Sequence, residues 1–100
     1  EKGLRTYFQS TLNAYRSIRQ IVKEGAIIVQ LVAFSDPSSQ LPRYLRVLKN
    51  ASFSEVSVLT PRANASVRRI WRQVPNRKWH ASIKGGTHSS REVVLIHRAD

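Results

Sequence analysis

The chain has 100 residues, with 17 Lys and Arg against 6 Asp and Glu, so its formal charge at pH 7 is +11. It has no cysteine, which excludes a disulfide scaffold, a thiolate zinc site and a cysteine nucleophile. No apolar run approaches the roughly 18 residues of a membrane span, and the excess of positive charge favours a polyanionic partner, nucleic acid first.

The first predicted element is a helix over residues 4–23. Mostly apolar and aromatic side chains recur at three- and four-residue steps, as on the buried side of an amphipathic helix: Leu4, Tyr7, Phe8, Thr11, Tyr15, Ile18 and Val22. We expect the aromatic rings to pack in the core, and the alternative is a platform that stacks on bases. Gly25 can adopt the left-handed conformation that ends helices.

A strand is predicted over residues 26–34, which are apolar except for Gln30. Such a run is typical of a strand that is covered on both faces, as in parallel sheets. The next loop carries Asp36, Ser38 and Ser39. Loops at the C-terminal ends of strands line ligand crevices in open α/β sheets, so these three residues are candidates for a site wall. The alternative is that Ser38 or Ser39 caps the next helix.

Residues 41–51 predict a second helix, with Pro42 in its first turn and Asn50 as a left-handed stop. Residues 53–60 predict a strand that ends before Pro61. Residues 92–98 predict a last buried strand. The alternation of helices and strands indicates an α/β fold with a largely parallel sheet.

A basic connection, residues 62–91, precedes the last strand and contains no Asp or Glu. Its pattern predicts a helix over residues 63–73 and a short strand over residues 79–83. Lys and Arg neutralise phosphates, and planar side chains stack on bases. The alternative is that the cations are only solvated and that Trp71 and Trp79 belong to the core. The candidate nucleic-acid contacts are Arg68, Arg69, Arg72, Arg77, Lys78 and Lys84.

Metal binding and acid–base catalysis find little support in the sequence. His80, His88 and His97 lack the short spacing of metal ligands, so we expect no metal site. The carboxylates are too few and too scattered for a paired acid–base site. We therefore assign no catalytic residue.

Three segments resemble the class I S-adenosylmethionine-dependent methyltransferases. Residues 17–29 (SIRQIVKEGAIIV) are similar to the family's helix end, glycine turn and fifth strand. Residues 45–56 (LRVLKNASFSEV) resemble its next helix and sixth strand, with Ser52 in place of a glycine. Residues 93–98 (VVLIHR) resemble the seventh strand, which in the family inserts antiparallel between strands five and six. The basic run at residues 68–79 resembles bacterial DNA modification methylases.

The resemblance implies the C-terminal half of a Rossmann-like methyltransferase fold, as a single fragment domain over residues 1–100. It implies three main strands, the last antiparallel, and two main helices. It also implies S-adenosylmethionine as the cofactor of a parent protein that methylates nucleic acid, DNA rather than RNA. The family's glycine loop, ribose-binding acidic residue and Asp/Asn-Pro-Pro-Tyr motif are absent from this sequence. We therefore expect this chain alone to bind no cofactor and to be inactive, and we expect it in the cytoplasm.

Two other classes of function remain open at this point. One is a stand-alone basic nucleic-acid-binding module without enzymatic activity. The other is a partner-binding fold, because a half sheet exposes one edge strand and an exposed edge favours pairing, for example in a homodimer.

Overall fold

The structure is a computed structural model that describes residues 2–57, 69–74 and 90–100. Its two helices pack on one face of an antiparallel four-stranded sheet, so the described part is a small α/β unit. In chain order the elements are α1 (Lys2–Ile21), β1 (Ile27–Phe34), α2 (Pro37–Asn50), β2 (Phe53–Val56), β3 (Ile70–Gln73) and β4 (Arg91–Ala99).

A glycine turn connects α1 to β1. α1 ends at Ile21, and Gly25 has a φ of 85°, so the predicted left-handed glycine is confirmed. The Gly25 N–H donates to the Ala99 carbonyl at 2.8 Å, and the Ala99 N–H donates to the Ala26 carbonyl at 2.8 Å. The turn is therefore hydrogen-bonded to the end of β4 as well as leading into β1.

α2 begins at Pro37, earlier than the sequence predicts, because Asp36 occupies the N-cap position and Pro is favoured in a first turn. The interpretation of Ser38 or Ser39 as the cap is wrong. Their hydroxyls instead donate to the Asp36 carboxylate, at 2.9 and 2.8 Å respectively.

The chain reverses direction after α2 at Ser52 and not at Asn50. Asn50 is the last helical residue, so its prediction as a left-handed stop is wrong. The Ala51 N–H still bonds the Val47 carbonyl at 3.0 Å, as a helical residue does. The left-handed conformation therefore falls two residues after Asn50, at Ser52, with a φ of 71°.

β4 is the centre of the sheet. It lies between β1 and β2 and runs antiparallel to both, with Ile28 opposite His97 and Phe53 opposite Ala99. The predicted antiparallel last strand is therefore confirmed. The expectation of a largely parallel sheet is wrong, because every described ladder is antiparallel. β1 and β2 do run in the same direction, but β4 separates them.

β3 adds a strand that the sequence pattern does not predict. Ile70–Gln73 pair with Arg91–Val94 of β4, so the helix predicted over residues 63–73 is wrong at these four positions. Ile and Trp are favoured in β-strands. β2 pairs only with the second half of β4, so the first half of β4 is available to pair with β3. Residues 63–68 of that predicted helix, residues 58–60 of the predicted strand and residues 79–83 lie outside the described residues.

The core lies between the two helices and one face of the sheet. Side chains alternate along β1, so Gln30 and Phe34 turn toward the helices while Ile27, Val29 and Leu31 are 55, 67 and 64% exposed. The expectation that β1 is covered on both faces is therefore wrong for the described residues. The buried apolar residues are Phe8, Phe34, Tyr44, Leu48, Ala51, Phe53, Val93, Leu95 and Ala99.

Candidate nucleic-acid interface

Two of the six predicted nucleic-acid contacts lie in the described part of the chain. Arg69 directly precedes β3, and Arg72 lies within it. The other four, Arg68, Arg77, Lys78 and Lys84, lie outside the described residues.

Arg69 is held by a carboxylate. Its Nε donates to Glu55 Oε2 and its Nη2 to Glu55 Oε1, both at 2.8 Å, which is the two-pronged geometry that arginine makes with carboxylates. This hydrogen bonding raises the pKa of the Arg69 guanidinium. A phosphate would have to displace Glu55, so Arg69 serves mainly to join β2 to β3.

Arg72 makes a cross-strand ion pair. It lies directly opposite Glu92 in the β3–β4 register, and its Nε and Nη2 donate to Glu92 Oε1 at 3.0 and 2.6 Å. The Arg72 side chain is 71% exposed, so water and salt weaken this pair. Arg72 can therefore still contact a phosphate if its exposed ion pair with Glu92 breaks.

Trp71 does not belong to the buried core that the described residues form. It lies opposite Val93 in the ladder, on the same side of the sheet as the helices, and remains exposed. Of the two interpretations made from the sequence, an accessible ring that can stack on a base fits this placement. Trp79 lies outside the described residues.

The helices carry a second group of cations that sequence reasoning did not assign to a site. Neither α1 nor α2 contains Asp or Glu. Arg5 and Arg16 are separated by about three helical turns, so they share one side of α1. On α2, Arg43 and Arg46 are three residues apart, and the Arg43 guanidinium lies 4.7 Å from the centre of the Phe8 ring of α1. This contact brings one cation of α2 against α1, so we treat the cations of the two packed helices as one candidate surface.

We call this surface the helical basic surface. It consists of Arg5, Arg16, Arg43, Arg46 and Lys49. Among the described residues, the ion pairs are those of Arg69 and Arg72, so the guanidinium groups of Arg5, Arg16 and Arg46 have no carboxylate partner there. Two features of the sequence indicate the helical basic surface. Arg and Lys recur at three-residue steps in α2, and neither helix contains Asp or Glu.

The chemistry that this surface offers is phosphate binding. Guanidinium and ammonium groups donate hydrogen bonds to phosphate oxygens and release condensed counterions, without reading the sequence of bases. Arg5, Arg16, Arg46 and Lys49 are exposed, so a nucleic-acid backbone can approach them without disturbing the core.

The Asp36 loop was the other candidate site from the sequence. Its carboxylate accepts the hydroxyls of Ser39 and Ser38, and these hydrogen bonds lower the pKa of Asp36. Asp36 also makes backbone contacts with Gln40, whose side-chain Oε1 accepts the Asp36 N–H at 2.9 Å. The polar groups of this loop therefore organise the start of α2, and nothing among them points to a ligand.

A buried polar pair lies under α1. His97 Nδ1 and Gln30 Oε1 are 3.0 Å apart, and the two residues are 1 and 7% exposed. Burial lowers the pKa of His97 to about 4, although the charge of Glu55 opposes the shift, so the imidazole is neutral at pH 7. The second amide atom of Gln30, Nε2, is buried without a partner.

A cleft of about 560 Å³ opens between α1 and the free edge of β1. α1 contributes Tyr7, Thr11, Ala14 and Ile18, and β1 contributes residues 29–33, including Gln30. The hydroxyls of Tyr15 and Tyr44 meet at 2.9 Å in its wall, where burial raises the pKa of Tyr44. None of the described residues that line the cleft is charged.

The described ranges contain neither a metal-binding group nor a membrane-spanning helix. No group of three His, Asp or Glu residues there could hold a metal ion. No helix there is long and apolar enough to cross a membrane.

Comparison of the chain with protein-family models, with curated proteins and with solved structures gives no match. The function must therefore be argued from the fold and from the helical basic surface.

Proposed function

We propose that this chain is the C-terminal part of a class I S-adenosylmethionine-dependent methyltransferase that modifies nucleic acid, DNA rather than RNA. The observation that carries the proposal is the position of β4, antiparallel between two strands that run in the same direction. A resemblance to the last three strands of that Rossmann-like family implies the same arrangement. The open face of the sheet supports the proposal, because apolar side chains there remain to be covered.

The role of this chain in such an enzyme is scaffold and substrate contact, in the cytoplasm. S-adenosylmethionine is bound in the family by a glycine loop and an acidic residue, and neither occurs in this sequence. The residues present do not fit the cofactor, so we assign it no residue of this chain and derive no catalytic step. The helical basic surface would hold the phosphates of the substrate, with Arg68, Arg77, Lys78 and Lys84 as further predicted contacts.

The contact role is tested by fluorescence anisotropy with a short DNA duplex at salt concentrations between about 50 and 200 mM. Each phosphate contact that is lost should flatten the plot of log K against log salt by about 0.9. We expect Arg46→Gln to reduce the slope by that amount. Arg98→Gln is the matched control, because it removes the same charge from the opposite face of the sheet, beside Ile27. Equal slopes for the two variants would contradict the contact role.

The second candidate function is a stand-alone basic nucleic-acid-binding module. The observation that favours it is the helical basic surface itself, which needs no cofactor. The same titration separates the two functions. A module should keep tight binding at about 150 mM salt, whereas one part of an enzyme should bind weakly and without specificity there.

Besides nucleic acid, we propose a second partner, which is another copy of this chain bound at the free edge of β1.

A further inference from the structure

One edge of β1 has no partner strand. β1 pairs with β4 along its other edge, and within residues 2–57, 69–74 and 90–100 no strand lies on the free side. Natural proteins protect such edges with charged residues or proline, and the eight residues of β1 include neither. Alternate residues of an antiparallel strand turn their backbone N–H and C=O groups away from the neighbour that they already have. The free edge of β1 therefore presents unpaired backbone groups to another strand.

α1 carries a surface beside this edge that no other described helix or strand covers completely. Its members follow alternating four- and three-residue steps, which is the spacing of the contact seam between two packed helices. Four of them line the cleft, and Tyr7 and Ile21 are exposed. This seam consists of Tyr7, Thr11, Ala14, Ile18 and Ile21.

The seam is free of charge on a strongly basic chain. The positions that flank it on its open side include Ser10 and Ser17, which are small enough for a second helix to approach. The cations of α1, such as Arg5 and Arg16, lie elsewhere on the helix. No cation of the described residues lines the cleft, so a polyanion finds none to bind there, whereas a partner that presents an uncharged surface with a strand and a helix fits it.

Gln30 places a polar side chain in the middle of the cleft. It is the only polar residue of β1, is 7% exposed, lines the cleft and has a buried Nε2 without a partner. Exchanging the two amide atoms would give His97 the nitrogen and leave the oxygen unpartnered, so either orientation leaves one atom unsatisfied. A buried polar atom without a hydrogen bond destabilises the fold. The occupant should therefore offer a polar group at this point.

We propose that the occupant is a second copy of this chain, related by a two-fold axis that passes beside Gln30. β1 then pairs antiparallel with β1 of the second copy, and α1 packs on α1 through the seam. Gln30 lies opposite Gln30 of the second copy, and each amide N–H donates to the other carbonyl oxygen. Ile28 lies opposite Val32 of the second copy.

A second copy satisfies these requirements because an interface of this symmetry uses the same patch twice. One patch here contains a free strand edge, an uncharged helix seam and an amide that is both donor and acceptor. This inference deepens the second partner named above and does not depend on the assignment as a methyltransferase.

The test is the mass of the 100-residue chain in solution, measured by sedimentation equilibrium without nucleic acid or S-adenosylmethionine. We expect twice the chain mass of 11.4 kDa. Ala14→Glu places a charge in the seam and should give a monomer. Asn13→Glu adds the same charge on the exposed side of the same helix and should leave the dimer intact.

Salt separates this proposal from nucleic-acid binding. Two chains of like charge repel, so salt should strengthen the dimer, whereas it weakens binding to DNA. A wild-type chain that stays monomeric at the concentrations of an NMR sample would overturn the proposal, because any other occupant of the edge leaves the chain alone monomeric. Equal masses for the Ala14→Glu and Asn13→Glu variants would also overturn it. Neither result bears on the slope of the DNA titration.

Discussion

The buried His97 should make the stability of this protein depend on pH. His97 is 1% exposed, and its neighbours include Glu55, directly opposite on β2, and Arg69, which Glu55 holds. Burial lowers the pKa of His97, the Glu55 charge raises it and the Arg69 charge lowers it, with a result of about 4. Acidification therefore protonates the unfolded chain before it protonates the folded one.

The sign and size of the effect follow from the two pKa values. The folded pKa of about 4 lies below the ordinary histidine pKa of 6.5, so neutral His97 contributes stability that is complete above pH 6.5 and is lost as the pH falls toward 4. One pKa unit corresponds to about 1.4 kcal/mol, and from pH 7 to pH 5 the linkage gives a loss of about 2 kcal/mol.

The assay is urea unfolding followed by circular dichroism at several pH values between 7 and 5. The comparison is with His97→Gln, which keeps a polar group beside Gln30 but cannot titrate. We expect the free energy of unfolding of the wild type to fall by about 2 kcal/mol more than that of the variant. NMR titration of the wild-type imidazole provides an independent measurement if the variant does not fold. Parallel pH profiles, or an imidazole that titrates near 6.5, would refute the reasoning.

Three other changes have definite expected outcomes. Ser52→Gly should stabilise the protein by about 1 kcal/mol in thermal unfolding, because Ser52 has a φ of 71° that glycine adopts without strain; an unchanged or lower melting temperature would contradict this. Ser39→Ala should raise the pKa of Asp36 toward its usual value in a carboxylate NMR titration, since the Ser39 hydroxyl is the main cause of the lowering; an unmoved pKa would show that this hydrogen bond is not made. Leu48→Ala should cost about 2–5 kcal/mol of unfolding free energy, because Leu48 is fully buried, and Leu45→Ala, at a half-buried position of the same helix, should cost less.

The predictable parts of the fold were those that local sequence determines. Gly25 marks the end of α1 because only a left-handed residue can make that turn easily. Alternating and apolar runs locate β1, β2 and the last strand. The antiparallel direction of β4 came from a resemblance to a family and not from any periodicity.

The parts that sequence reasoning missed depend on contacts between distant residues. Ile70–Gln73 have a spacing that suits either a helix or a strand, and the ladder with β4 decides for the strand. The apolar run of β1 did not show that one of its faces is open, because a run of apolar residues has the same appearance whether one or both faces are covered.

The candidate site was predicted less well than the fold. The basic connection was identified by its charge, but Glu55 and Glu92, which lie outside it in the sequence, pair with two of its cations. The cations of the helices were not counted as a site. Their grouping across α1 and α2 appears only when Arg43 is seen to lie against Phe8.

The proposed function is tested most directly by methyl transfer. The natural polypeptide that contains this chain would be purified from its own source and incubated with S-adenosylmethionine labelled in the methyl group and with DNA or RNA. We predict labelled DNA with that polypeptide and none with the 100 residues alone. A natural polypeptide that labels neither nucleic acid, although it binds S-adenosylmethionine or DNA, would contradict the proposal.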